Sequence, residues 1–68
     1  MNAQEKMKIV DNLFNDIADR VGILSGYGVF SFKEGAEIIK SFSDKQMEWM
    51  KSKFSDAEIN EFMRNNIF

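Results

Sequence analysis

The side chains in this sequence that could act chemically are mainly carboxylates and lysines, because the 68 residues include no histidine and no cysteine. The commonest general base and the thiol nucleophile are therefore missing. Glu34 and Glu58 each follow a serine by three residues, a spacing typical of a helix cap rather than of proton transfer. We therefore predict no catalytic residue, no enzyme activity and no cofactor.

Metal and phosphate sites are not predicted either. Without cysteine and histidine the common zinc frameworks cannot form, and no D-x-[DN]-x-[DN]-G calcium loop occurs. Gly26 and Gly28 have the spacing that opens a phosphate-binding G-x-G-x-x-G loop, but Ser31 occupies the third glycine position. We interpret the glycines as a turn.

Trp49 is the residue best suited to hold a partner by non-covalent contact. It is the only tryptophan, and in two related segments of the chain the equivalent positions are Glu37 and Glu61. Tryptophan is enriched at binding hot spots, and methionine makes adaptable surfaces. The predicted partner-binding residues are Trp49, Met50, Lys53, Met47 and Lys45. The alternative is that the indole packs on another helix of the same chain.

Lysines near Trp49 offer a second class of function, binding of DNA or RNA. They are Lys40, Lys45, Lys51 and Lys53. The net charge of −2 and the lack of an Arg-rich or Asn/Gln-rich recognition helix argue against this role. A protein partner is favoured over a nucleic acid.

An acidic ridge follows one side of the N-terminal region and is a competing contact surface. Its residues are Asp11, Asn12, Asn15, Asp16 and Asp19. The ridge could meet a basic partner or could be a solvated helix face, and Asp16 and Arg20 are spaced for an ordinary intrahelical ion pair. The sequence does not decide between this ridge and the Trp49 face.

The N-terminal third has the pattern of one long amphipathic helix, predicted over residues 3–24. Apolar residues alternate four and three apart, as in a helical seam. They are Ala3, Met7, Val10, Phe14, Ile17, Val21 and Leu24. A glycine-rich turn over residues 25–30 should follow, with Gly26 in the left-handed conformation.

Three copies of a Phe-Ser-x-x-Glu/Gln motif divide the rest of the chain. The serine and its acidic or amide partner are Ser31 and Glu34, Ser43 and Gln46, and Ser55 and Glu58. In such a capping box the serine and the third residue cap each other's backbone amides and start a helix. The motifs predict three short helices, at about 32–41, 44–53 and 56–66.

Together these elements predict an all-α single domain over residues 1–68, in which three short capped helices pack on the apolar stripe of the long one. Alternatively, that stripe is an oligomer face for a homodimer, which could bind a small ligand at its subunit junctions. The residues of this face are Met7, Val10, Phe14, Ile17 and Val21. Ile67 and Phe68 are read as core or as an exposed apolar end.

The functional prediction is a non-enzymatic protein-binding module that docks on a host protein or complex. Its size and cysteine-free helical composition are similar to those of small regulators and inhibitors encoded by phages and plasmids, which is an analogy and not a family relationship. A polar N-terminus and the lack of a long apolar run predict a cytoplasmic protein without a membrane partner.

Overall fold

Three α-helices make up the described part of the molecule. The computed structural model describes residues 1–66, in which the helices are α1 (Ala3–Gly26), α2 (Phe32–Lys53) and α3 (Asp56–Asn66). Residues 1–66 contain no strand. The predicted all-α class is confirmed, but the helices number three and not four. Ile67 and Phe68 lie outside the described residues, so the prediction for them stays untested.

The predicted break between helices 32–41 and 44–53 is wrong, because α2 continues through it. Ser43 lies inside the helix, and Gln46, which was expected to cap it, donates from Nε2 to Oδ1 of Asp11 at 3.0 Å. One turn earlier, the Phe42 ring packs on Phe14 with 5.8 Å between ring centroids. These two contacts with α1 need Phe42 and Gln46 on one helical face, so they favour an unbroken helix.

The first and third capping boxes form as predicted. The Ser31 hydroxyl accepts from the Glu34 amide at 3.1 Å, and the Glu34 carboxylate accepts from the Ser31 amide at 3.1 Å. Ser55 and Glu58 repeat the exchange at 3.2 and 2.9 Å. Both boxes have glutamate at the third position, whereas the one that failed has glutamine. A carboxylate binds backbone amides more strongly than an amide does and is stabilised by the helix dipole, so the second motif is the weakest local signal of the three, and the contacts of Phe42 and Gln46 with α1 override it.

Helix α1 ends two residues later than predicted, and the residue in the left-handed conformation is Gly28 rather than Gly26. Gly26 is the last helical residue, and Gly28 has the positive φ of 81°. The Gly28 amide donates to the Ser25 carbonyl at 3.1 Å, and the Val29 amide donates to the Leu24 carbonyl at 3.0 Å. This pair of bonds is a Schellman motif, which requires a left-handed residue at the Gly28 position. The expectation for Gly26 was therefore wrong by two residues.

Helices α1 and α2 form an antiparallel hairpin within a molecule that measures 40 × 21 × 16 Å. Four pairs of neighbouring residues along the two helices have numbers that add to 56 or 57. These pairs are Met7 with Met50, Asp11 with Gln46, Phe14 with Phe42, and Val21 with Gly35. The hairpin therefore has a constant register along its length.

Helix α3 covers only one end of this hairpin. We call that part, residues 2–13 and 46–66, the three-helix end, and it contains the buried cluster Met7, Met50, Ile59 and Phe62. Nε2 of Gln4 ties α1 to α3 by donating to the Glu58 carbonyl at 2.9 Å.

The other end of the hairpin, residues 17–41, is the two-helix end. Its buried residues are Val21 and Gly35. A Cβ atom built on Gly35 would lie 2.5 Å from the Ser25 hydroxyl oxygen, so the two helices approach closely at this glycine. Because Gly35 has no side chain, the side chains of Val21 and Ser25 can pack directly against α2 at this point.

Candidate protein-binding surface

Trp49 lies at the margin of the core rather than on an open face. Its side chain is half-buried and packs against the cluster that includes Met7 and Phe62. The Phe54 ring meets the indole edge-on, with centroids 5.3 Å apart and planes at 80°. Much of the tryptophan surface is therefore used inside the chain, although part of it remains open.

The other residues predicted to surround Trp49 are divided between core and surface. Met50 is only 2% exposed, so in this structure it offers no contact area to a partner. Met47 is half-buried, and the side chains of Lys45 and Lys53 are exposed. Lys45, Trp49 and Lys53 follow each other at four-residue spacing on one face of α2, and the role of the five residues in binding stays a prediction.

The apolar stripe of α1 that was considered as an oligomer face is covered within the chain. Met7 and Val21 are buried, and Val10, Phe14 and Ile17 are half-buried. Helices α2 and α3 supply this cover, in line with the interpretation of the stripe as intramolecular core. Met7 and Val21 have no free surface for a second copy to contact.

The acidic ridge is split by the packing of α2. Asp11 accepts from Gln46 at 3.0 Å and from Nδ2 of Asn15 at 3.3 Å, and these polar groups line a cavity of about 400 Å³ between the helices. Asp16 and Asp19 are exposed on a different side of α1. The ridge is therefore not a single charged surface.

The lysines do not form a continuous basic patch. Nζ of Lys40 donates to Asp44 at 2.8 Å, and this hydrogen bond and the negative charge of Asp44 raise the pKa of Lys40. Lys45, Lys51 and Lys53 are exposed and alternate with Glu48 and serines along α2. A nucleic-acid backbone would meet mixed charge here.

A second apolar surface, which the sequence motifs did not reveal, lies at the two-helix end. Tyr27 and Phe32 are 81% and 83% exposed, and Val29 between them is also exposed. We call these three residues the apolar tip. They lie in the longest stretch of the sequence without a charged residue, positions 21–32. That stretch is the signal that could have identified the tip.

The backbone of the tip is held at both sides. The Schellman motif at Gly28 fixes the exit from α1, and the Ser31–Glu34 capping box fixes the entry into α2. Hydrogen bonds from the Ser31 amide and hydroxyl lower the pKa of Glu34, so the cap is charged at neutral pH. Tyr27, Val29 and Phe32 are thus presented from a defined turn.

No helix within residues 1–66 is long and apolar enough to cross a membrane. Comparison of the chain with models of protein families, with curated proteins and with solved structures found no match.

Proposed function

We propose that this chain is a non-enzymatic protein-binding module of the small regulator or inhibitor type, and that it docks through the apolar tip. The observation that carries the proposal is the exposure of Tyr27, Val29 and Phe32 in a segment without charge. Large apolar side chains grouped on a surface are typical of an interaction site.

The tip suits docking better than the Trp49 face does. A hot-spot side chain must be free before binding, and Phe32 is almost fully exposed whereas Trp49 already packs on Phe54. The two hydrogen-bonded caps also hold the turn in one conformation. Less conformational entropy is then lost on binding, which favours affinity.

The chemistry of the tip defines the kind of partner. It carries no charge of its own, so a complementary surface is an apolar pocket on another protein that accepts a phenylalanine ring. Affinity for such a pocket should change little between low and high salt. Binding to nucleic acid would instead weaken steeply as salt is raised.

The test is affinity capture from a lysate of the organism that encodes the chain, with nuclease added to one half of the samples. The immobilised proteins are the unaltered chain, Phe32→Ser, Trp49→Ala, and Ala36→Ser as the matched control one helical turn further along α2. Phe32 and Ala36 are both exposed, so neither substitution should disturb folding.

We expect one protein in stoichiometric amount, captured by the unaltered chain and by Ala36→Ser and lost with Phe32→Ser. Titration calorimetry with the purified partner should then show at least a tenfold weaker Kd for Phe32→Ser. Capture that survives Phe32→Ser but is lost with Trp49→Ala would overturn the assignment to the tip. Nuclease-sensitive capture would overturn the protein-binding function itself.

A further inference from the structure

Helix α1 has a second seam, on the side that faces neither α2 nor α3. Its residues are spaced four, three, four, three and four apart, which is the a and d pattern of a heptad repeat. All of them are exposed: Ile9, Leu13, Asp16, Arg20, Ile23 and Tyr27. We call this set the outer seam. It is separate from the covered stripe that faces the core.

The two stripes point in different directions around α1. At about 100° per residue, the six seam positions lie within about 40° of the direction of Ile9. The core-facing residues Met7, Phe14 and Val21 lie about 120° to 160° away from that direction. A helix that packs on the outer seam would therefore not have to displace the intramolecular core.

We infer that the outer seam pairs with the outer seam of a second copy of this chain, with the two α1 helices antiparallel. The reason is that the seam is complementary to itself in one register. When the two-fold axis passes beside position 18, Ile9 faces Tyr27 of the second copy, Leu13 faces its Ile23, and Asp16 faces its Arg20. Each a position then meets a d position, as knobs-into-holes packing of antiparallel helices requires.

The central charges select the antiparallel arrangement. Two Asp16–Arg20 contacts form across the two-fold axis, whereas parallel helices in register would place Asp16 against Asp16 and Arg20 against Arg20. Like charges opposite each other are destabilising. The only ion pair within residues 1–66 is Lys40–Asp44, so the predicted intrahelical pair of Asp16 with Arg20 is not formed. Both side chains remain free to pair with a second copy.

The exposed area of the outer seam indicates that the dimer is weak. Ile9, Leu13 and Ile23 are each more than half exposed, and with Tyr27 they offer roughly 500 Å² of surface per copy. A stable interface of standard size buries about 800 Å² per partner. The dimer should therefore dissociate in the micromolar range, roughly 1–100 μM.

This pairing does not depend on the proposed function, and it adds a property to it. Tyr27 belongs to both the outer seam and the apolar tip, so the dimer covers it, whereas Val29 and Phe32 are not part of the seam and stay exposed in both copies. Because the helices are antiparallel, the two Phe32 side chains lie at opposite ends of the dimer. The dimer is then a bivalent binder whose effective affinity rises for a partner with repeated sites.

The test is sedimentation velocity of the full chain from about 1 to 500 μM, with charge exchange at the centre of the seam. Asp16→Arg and Arg20→Asp each place like charges opposite each other, so each variant alone should remain monomeric at concentrations where the unaltered chain is dimeric. An equimolar mixture of the two variants should recover the dimer, because opposite charges then face each other. The double variant Asp16→Arg/Arg20→Asp should also dimerise.

Glu48→Arg, which makes the same charge change on the exposed face of α2, is the control and should leave the dimer intact. A monomer at every concentration of the unaltered chain would overturn the inference, as would single variants that dimerise or a mixture that does not recover. Circular dichroism confirms that each variant is folded. If a single variant is monomeric but still captures the partner, dimerisation and partner binding are independent properties. The dimer and the proposed function can then be judged separately.

Discussion

The two ends of the α1–α2 hairpin are made from the same pair of helices but are stabilised differently. At the three-helix end, α3 closes over Met7 and Met50 and contributes Ile59 and Phe62 to a buried cluster. At the two-helix end no third helix covers the hairpin among residues 1–66, and the side chains of Val21 and Ser25 pack against Gly35 instead. The first end buries a cluster of large apolar side chains, although Ile9 and Leu13 remain exposed on the outer side of α1, whereas the second end exposes Tyr27, Val29 and Phe32.

The difference suggests that stability and binding are separated along the length of the hairpin. Residues of the three-helix end contribute most of the buried apolar area, so substitutions there should lower the free energy of unfolding. Exposed residues of the two-helix end contribute little to stability, so they are free to serve binding. Four experiments test this division between the two ends.

Phe62→Ala should have the largest effect, because the side chain is buried at the centre of the three-helix end. We expect the free energy of unfolding to fall by about 3–5 kcal/mol, from lost burial and the cavity that remains. Val21→Ala at the two-helix end should cost about 1.5 kcal/mol. Urea denaturation followed by circular dichroism measures both, and Phe62→Leu provides a milder change if Phe62→Ala does not fold. Equal costs at the two ends would contradict the comparison.

Alanine in place of the three motif serines should separate the working caps from the one that failed. Ser31→Ala and Ser55→Ala each remove a hydrogen-bonded cap and should cost about 1 kcal/mol of unfolding free energy. Ser43→Ala lies inside α2, where alanine has the higher helix propensity, so it should be neutral or slightly stabilising. A cost at Ser43 equal to the other two would indicate that α2 is broken in solution.

Gly35→Ala tests the close approach of the helices at the two-helix end. An added Cβ meets the Ser25 hydroxyl, so the gain of up to about 1 kcal/mol expected from higher helix propensity should be reduced or lost. In a Ser25→Ala background the obstacle is gone and the full gain should appear. The measurement is a double-mutant cycle from urea denaturation. Equal effects of Gly35→Ala in both backgrounds would show that the helices are further apart.

Acid should weaken the cap of α2 through Glu34, and this is the smallest effect. The pKa of Glu34 is lowered from 4.5 by hydrogen bonds from the Ser31 amide and hydroxyl. A lowered pKa in the folded state means that the stabilisation is present above the ordinary value and is lost as pH falls through the lowered one. Unfolding midpoints of the unaltered chain and of Glu34→Gln should differ at pH 7 and converge in acid. A difference that is independent of pH would argue against this cap.

The structural features that were predicted correctly from the sequence depend on short-range interactions. The caps at Ser31 and Ser55 follow from residues three positions apart, and the start of α1 follows from apolar residues spaced three and four apart; all are present. The motif at Ser43 has the same local signals, but its outcome depends on Phe14 and Asp11, about thirty residues away. Propensity and motif spacing contain no information on such contacts.

The prediction of the binding surface was limited for the same reason. Met50 lies seven residues after Ser43, as Phe62 lies seven after Ser55, and both are buried, so the alignment of the motifs itself indicates a core position for Met50. The apolar tip could be found only in part from the charge-free stretch, since its exposure depends on where α3 packs. The outer seam, in contrast, has a spacing that is readable from the sequence once the core-facing stripe is known.

The docking of α3 has a consequence for the two methionines of the buried cluster. Two of its four members, Ile59 and Phe62, belong to α3, so Met7 and Met50 lose that cover whenever α3 detaches. The contact between Phe14 and Phe42 does not involve α3, so the hairpin can persist when α3 alone has come away. This partly opened hairpin is the species that a chaperone would recognise, and docking of α3 removes that recognition site.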